Sequence, residues 1–152
     1  MRLSIEQRGR IVILRCAGTH ACSDEDHAAL DEAVGKLSNV LCDGQSLLLD
    51  VRKLHVVYPS GIAEMLNPWA PETAGWNPND GARVGFLYEE AGGPGEKGWR
   101  LTSLALDVAR TLSREREGPR WLGFFTDESE ALSFLTSGET PGGPAPRPTP
   151  GG

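Results

Sequence analysis

Apolar positions recur along the chain with two periods, and the switch between them marks out the elements. Leu3–Gln7 and Ile11–Cys16 are short β-like runs separated by Arg8-Gly9-Arg10, and Val12, Leu14 and Cys16 alternate as a buried strand face does. Ser23 then stands as an N-cap before Asp24, Glu25 and Asp26, three acids suited to the positive end of a helix. Leu30, Val34, Leu37 and Leu41 follow at spacings of three and four, and Asp43-Gly44 ends the helix. Ser46–Asp50 (SLLLD) is a continuous apolar run, as expected of a central strand, and Val51–Tyr58 extends beyond it.

The second half continues the alternation. Ser60 opens a helix carrying Ile62, Met65 and Leu66, which Pro68 and Pro71 stop early. Asn67–Gly81 is rich in Pro, Asn and Gly and predicts a loop; Arg83–Tyr88 (RVGFLY) predicts a strand; Gly92–Gly98 predicts a second loop. Leu101, Leu104, Val108 and Leu112 mark an amphipathic helix, and Arg120–Thr126 (RWLGFFT) marks the last strand. Asp127 and Glu130 then resemble a capping box at the start of a final helix with Leu132 and Leu135. Strands alternating with helices in this way predict an α/β domain with a largely parallel sheet.

Composition bounds this domain. Of the 152 residues, 39% are hydrophobic, enough for one core, and the predicted domain spans residues 1–136. The stretch over 137–152 is built almost entirely from Pro, Gly and small polar residues and predicts a disordered tail, having no apolar side chain to offset the entropy of ordering. Fifteen Lys and Arg against 21 Asp and Glu leave a formal charge of −6 with no basic stripe, which argues against nucleic acid as a partner. Apolar runs are strand-sized, so no membrane insertion is expected, and Met1–Arg10 lacks a signal-peptide core. Three widely spaced cysteines fit a reducing compartment, and the expected location is cytoplasmic.

Candidate chemistry is sparse. Cys16, His20, Cys22 and His27 offer zinc-type donors, but Cys16 belongs to the strand face and no standard zinc spacing is present, so no metal and no cofactor are expected. Ser60, His55 and Asp50 have the residue types of a hydrolase triad, the least favoured reading. Tyr58-Pro59-Ser60-Gly61-Ile62 lacks the leading glycine of a nucleophile elbow. Gly92–Gly98 sits where a phosphate loop belongs, but Glu96 precedes Lys97 and Gly98 follows it, so the Gly-Lys-Ser/Thr chemistry is missing. Trp69 and Trp76 fall in the polar loop, as interface anchors or as cover for the sheet edge.

The segment Leu47–Leu66, LLLDVRKLHVVYPSGIAEML, resembles the signature of the STAS family, the sulphate transporter and anti-sigma factor antagonist domains. Asp50, Leu54, Val57, Ser60, Gly61 and Ile62 fall on that pattern without a gap, and the order of elements over residues 3–135 follows it. The resemblance implies a mixed, largely parallel sheet with helices mainly on one side, and no active site. It implies a non-catalytic interaction module that presents Tyr58, Pro59, Ser60, Gly61 and Ile62 to a regulatory protein such as an anti-sigma factor or kinase, and Trp69 and Trp76 join that surface on the anchor reading of their rings. A scaffold or small subunit of a stress-signalling or lipid-transport assembly is the alternative role, and self-association stays open. Tyr58 stands where the family has Asp, and Pro59 where it has the phosphorylated serine. Ser60 is then the one nearby phosphoacceptor, and the expectation is a binder that serine phosphorylation does not switch.

Overall fold

The computed structural model describes residues 1–56, 60–89 and 121–137. Strands β1 (Arg2–Arg8) and β2 (Ile11–His20) form an antiparallel pair turned at Gly9, whose φ of 58° lies in the left-handed region that glycine enters without strain. Helix α1 (Asp24–Leu37), strand β3 (Ser46–Val56) and helix α2 (Ser60–Leu66) follow. Next come a 3-10 turn (Asn67–Trp69), the short helix α3 (Pro71–Ala74) and a second 3-10 turn (Pro78–Asp80). Strand β4 (Val84–Leu87), strand β5 (Leu122–Phe125) and helix α4 (Glu128–Ser137) complete the described elements. The helix expected around Leu101–Leu112, the loop Gly92–Gly98 and the tail from Gly138 lie outside the described residues.

The five strands lie in sequence order, β1-β2-β3-β4-β5. Among the described residues only the β1–β2 pair is antiparallel; β2–β3, β3–β4 and β4–β5 are parallel. This is the mixed, largely parallel sheet expected. Both of its faces are covered, which is why Leu47–Leu49 of β3 and Val84–Leu87 of β4 read as unbroken apolar runs. On one face Val12, Leu14, Leu47, Leu49, Val84 and Phe86 meet Leu30, Ala33 and Leu37 of α1 and Met65 and Leu66 of α2. On the other, Ile13, Leu48, Leu87 and Phe125 meet Ala131, Phe134 and Leu135 of α4. Helices α1 and α2 therefore share a face, and α4 packs on the opposite one.

Helix α1 ends earlier than expected, and β3 carries an irregularity that the pattern does not show. Helix α1 stops at Leu37, and a series of turns reaches Gly44, so Leu41 is buried from a turn rather than from the helix. Strand β3 runs through Asp50 to Val56 without interruption. A register shift between Arg15 and Ala17 of β2 sets Asp50 opposite Arg15 but Lys53 opposite Ala17, so β3 carries one extra residue there. The bulge resets the alternation, which lets Val51 and Leu54, three apart, both enter the same core.

Helix α2 ends at Leu66, just before Pro68, as expected, and the prolines of 67–81 also start new turns. Pro68, Pro71 and Pro78 each sit in the first positions of a helical turn, where a missing N–H leaves no bond unmade. The three turns fold the predicted loop back over the sheet, and Trp69 and Trp76 are 2% and 6% exposed. Of the two readings of these rings, burial supports cover and not interface anchors beside Ser60: they belong to the core.

Candidate functional site

The candidate docking segment is the entry to α2, directly after the C-terminal end of β3. Tyr58 and Pro59 lie outside the described residues, and of Ser60 and Ile62 the backbone is described. Ser60 begins α2, as expected, and Gly61 is buried in its first turn. Met65 and Leu66, each 1% exposed, fasten the helix to the core. The helix is only seven residues long because Asn67-Pro68-Trp69 tightens into a 3-10 turn. Trp69 and Trp76 belong to the same core cluster as Met65 and Leu66, joined by a 2.8 Å hydrogen bond from Trp76 Nε1 to the Trp69 carbonyl.

Between α2 and the end of β2 lies a polar cluster. His20, the last residue of β2, is fully buried, and its Nε2–H donates to Glu64 Oε2 of α2 at 2.8 Å. His27 of α1 donates from Nε2 to the other Glu64 oxygen at 3.0 Å. Burial alone would raise the Glu64 pKa, but hydrogen bonds from His20, His27 and Cys22 outweigh it and hold the carboxyl below its ordinary value. Cys22 Sγ lies 4.0 Å from His20 Nε2, on the turn between β2 and α1.

Asp26 supports this turn from the first turn of α1. Its carboxylate accepts from the Ala21 and Ser23 N–H groups while the Ser23 hydroxyl accepts from the Asp26 N–H, so Ser23 and Asp26 form a reciprocal cap. The Ala21 hydrogen bond, opposed by burial and helped by Ser23 and the N-terminal ammonium, brings Asp26 down to about 2. His20 Nδ1 faces the same carboxylate at 3.8 Å, too far for a hydrogen bond.

The sequence grouped Cys16 with His20, Cys22 and His27. The fold takes Cys16 out, burying it within the apolar core, where desolvation and the charge of Asp50 push its thiol up to about 12. It brings in Glu64, for which the sequence offered no signal, because nothing local announces that α2 packs beside the β2–α1 turn.

A second charged group lies on the α4 face. Arg15 Nη1 reaches Asp50 Oδ2 at 2.7 Å and Glu128 Oε1 at 3.0 Å, and Arg52 holds Asp50 through Nε at 2.9 Å and Nη2 at 3.0 Å. Burial would raise the Asp50 pKa, but the Arg52 side chain and backbone, and then Arg15, keep it below the ordinary value. A shallow cleft of about 430 Å³ opens beside Arg15, Asp50, Arg52 and Lys53. The strand-ending Asp of the sequence pattern is thus a structural anchor tying β2, β3 and α4 together.

No family model matches the sequence, and no curated protein does. The fold has clear counterparts among solved structures. An anti-sigma factor antagonist from Mycobacterium paratuberculosis superposes with a TM-score of 0.56 at 14% identity, covering 89% of this chain and 93% of that one. SpoIIAA, a Bacillus cell fate determinant solved in the phosphorylated form, gives 0.48 at 16% identity, over 87% and 97% of the two chains. An uncharacterized Shewanella loihica protein with a SpoIIAA-like fold gives 0.49 at 18%, over 88% and 92%. The first of these carries the comparison, and with the strand order and the Leu47–Leu66 pattern it identifies the chain as a divergent domain of STAS-like fold.

Proposed function

We propose that this protein is a non-catalytic regulatory module that binds a partner protein through residues 58–62, the entry to α2. The observation that carries the reading is the position of that segment. It follows the C-terminal end of a parallel strand, the edge at which open α/β sheets present their binding loops. Met65 and Leu66 hold the helix behind it against a core that both tryptophans help to fill. The favoured partner is a regulatory protein of the anti-sigma factor or kinase type, by analogy with the antagonist whose fold this chain shares.

Catalysis at Ser60 is disfavoured by the state of Asp50. Its carboxylate is taken up by two guanidinium groups, so it is not available to orient His55 as a triad acid would. A cytoplasmic location belongs with this reading; among the described residues no helix is long and apolar enough to cross a membrane.

Affinity capture with the full chain from its native cells, followed by binding measurements on purified partner, tests the proposal. Tyr58→Ala and Ser60→Arg are expected to weaken the complex by about thirtyfold or more, as truncation or blockage of a central anchor does, while Glu72→Ala on exposed α3 leaves it unchanged. Equal affinity of all three variants and the parent would refute the docking segment.

A further inference from the structure

We propose that His20 Nε2, Cys22 Sγ and a Glu64 carboxylate oxygen form a binding site for a zinc-type divalent cation. The site would clip α2 to the β2–α1 turn. It stands independently of the partner-binding reading, since its ligands and its test involve no other protein.

The donor set comes first. The three candidate ligand atoms lie within 4.8 Å of one another, although they come from the end of a strand, a turn and a helix 44 residues away from the first. Imidazole, thiolate and carboxylate are the ligand types zinc takes, at bond lengths that separate tetrahedral ligands by about 3.3–3.8 Å. Bringing the donors to those separations needs movements of about 1 Å, which side-chain torsions supply. The His20–Glu64 pair, at 2.8 Å, has to open slightly, and the Cys22 sulfur, 4.0 Å from His20 Nε2, has to close slightly.

The second observation concerns the other nitrogen of His20. With Nε2–H given to Glu64, a neutral ring presents a bare Nδ1 lone pair toward the Asp26 carboxylate at 3.8 Å. Nδ1 is buried and has no hydrogen-bond partner among the described residues, in a side chain of 0% exposure. Lone pair against carboxylate is the wrong polarity. A metal on Nε2 reverses it: the ring proton resides on Nδ1 and faces Asp26, and a small closure of the 3.8 Å gap then gives the carboxylate–histidine–metal arrangement that orients metal-bound imidazoles. His27 already grips the second Glu64 oxygen and would orient that ligand in the same way.

The backbone agrees. Cys22 has a φ of 56° and is the one non-glycine residue with a positive φ among the described residues. A side chain kept in that conformation at a site of converging donors is the pattern of a functional constraint. Cys42, by contrast, is exposed, and Cys16 is sealed in the core.

The proton balance is simple. The Cys22 thiol loses its proton to solvent as the S–M bond forms, the His20 proton moves from Nε2 to Nδ1, and Glu64 binds as the carboxylate it already is. Three protein ligands leave a fourth position for water.

The test uses the full chain, reduced and stripped with chelator, titrated with cobalt(II) and then with zinc. One equivalent of cobalt should give visible ligand-field bands and a near-ultraviolet thiolate-to-cobalt band, both abolished by one equivalent of zinc. Cys22→Ser should lose the thiolate band and weaken zinc binding at least about tenfold. Glu64→Gln should weaken zinc similarly yet keep the thiolate band, and Cys42→Ser should change nothing. Circular dichroism establishes that each variant is folded. A folded parent without the thiolate band, a band that survives Cys22→Ser, or one lost in Cys42→Ser would each overturn the site.

Discussion

The indole N–H of Trp76 donates to the backbone carbonyl of Trp69 at 2.8 Å, and both rings are sealed within the core. Trp121 meets Trp76 edge to face with centroids 5.7 Å apart. This one bond ties together the segment that the sequence presents as a polar loop, and it makes the tryptophan pair a structural staple within the core.

The staple predicts a stability effect. Trp76→Phe keeps an aromatic ring but leaves the Trp69 carbonyl unpaired, which should lower unfolding free energy by about 1–3 kcal/mol. Trp76→Ala also empties a core site and should cost about 3–5 kcal/mol. Urea unfolding followed by fluorescence measures both. If Trp76→Ala unfolded at the parent midpoint, the ring would not be packed as described.

How much of this was legible in the sequence depends on the range of the interaction. Apolar runs, alternation and three-to-four spacing located β1, β2, α1, β3, α2, β4, β5 and α4; all but the half-exposed β1 bury side chains of their own in the core. The capping residues Ser23 and Asp127 were legible too; the Asp127 carboxylate accepts from the Glu130 N–H at 3.0 Å. For Trp69 and Trp76 the sequence left anchor and cover both open, and the turns that bury them were missed, since prolines that start helical turns look the same in sequence as prolines that end them. The bulge in β3 was hidden because it depends on pairing with β2. At the candidate site His20, Cys22 and His27 were visible as a group, but Glu64 joins them only through tertiary packing.

Close packing of α4 on the sheet rests on a glycine. A Cβ built on Gly123 would meet the Phe125 ring at 2.7 Å and Phe134 at 3.1 Å. Gly123→Ala should therefore destabilise the domain by about 1–3 kcal/mol through overpacking. A Cβ on Gly35, within α1, would have nothing within 4 Å, so Gly35→Ala should stabilise by up to about 1 kcal/mol through helix propensity. Thermal unfolding of the two variants should move in opposite directions; a shift of the same sign in both would contradict this packing.

Asp50 predicts part of the acid sensitivity. Its folded pKa lies below the ordinary aspartate value of 3.8, so its ion pairs stabilise the fold above that value. That contribution is lost as pH falls from about 5 through the folded pKa. Asp50→Asn should lower stability at pH 7 by about 1–3 kcal/mol, a range discounted for the partial exposure of both arginines. It should also flatten the decline in stability between neutral and acid pH. Parallel pH profiles for parent and variant would show that Arg15 and Arg52 do not stabilise the ionised carboxylate.

The last prediction concerns switching. In the pattern that Leu47–Leu66 resembles, the phosphoacceptor position falls on Pro59, which has no hydroxyl, and Ser60 is its neighbour one residue later. Phosphate transfer needs the acceptor oxygen in line with the donor, and a misplacement of about 1 Å costs on the order of a hundredfold in rate. A one-residue step along the backbone is about 3.8 Å between Cα atoms, well beyond that tolerance. Pro59 also fixes its own φ and restricts the residue before it, so the chain has little freedom to bring Ser60 into the earlier position. The expected behaviour is constitutive binding. Protein isolated from its native cells, stressed or unstressed, should show the unmodified mass, and Ser60→Ala should bind the captured partner within about threefold of the parent, inside the range of near-neutral interface changes. A substantial phosphorylated fraction localised to Ser60, together with loss of binding in Ser60→Asp but not in Ser60→Ala, would instead establish a displaced phosphoswitch.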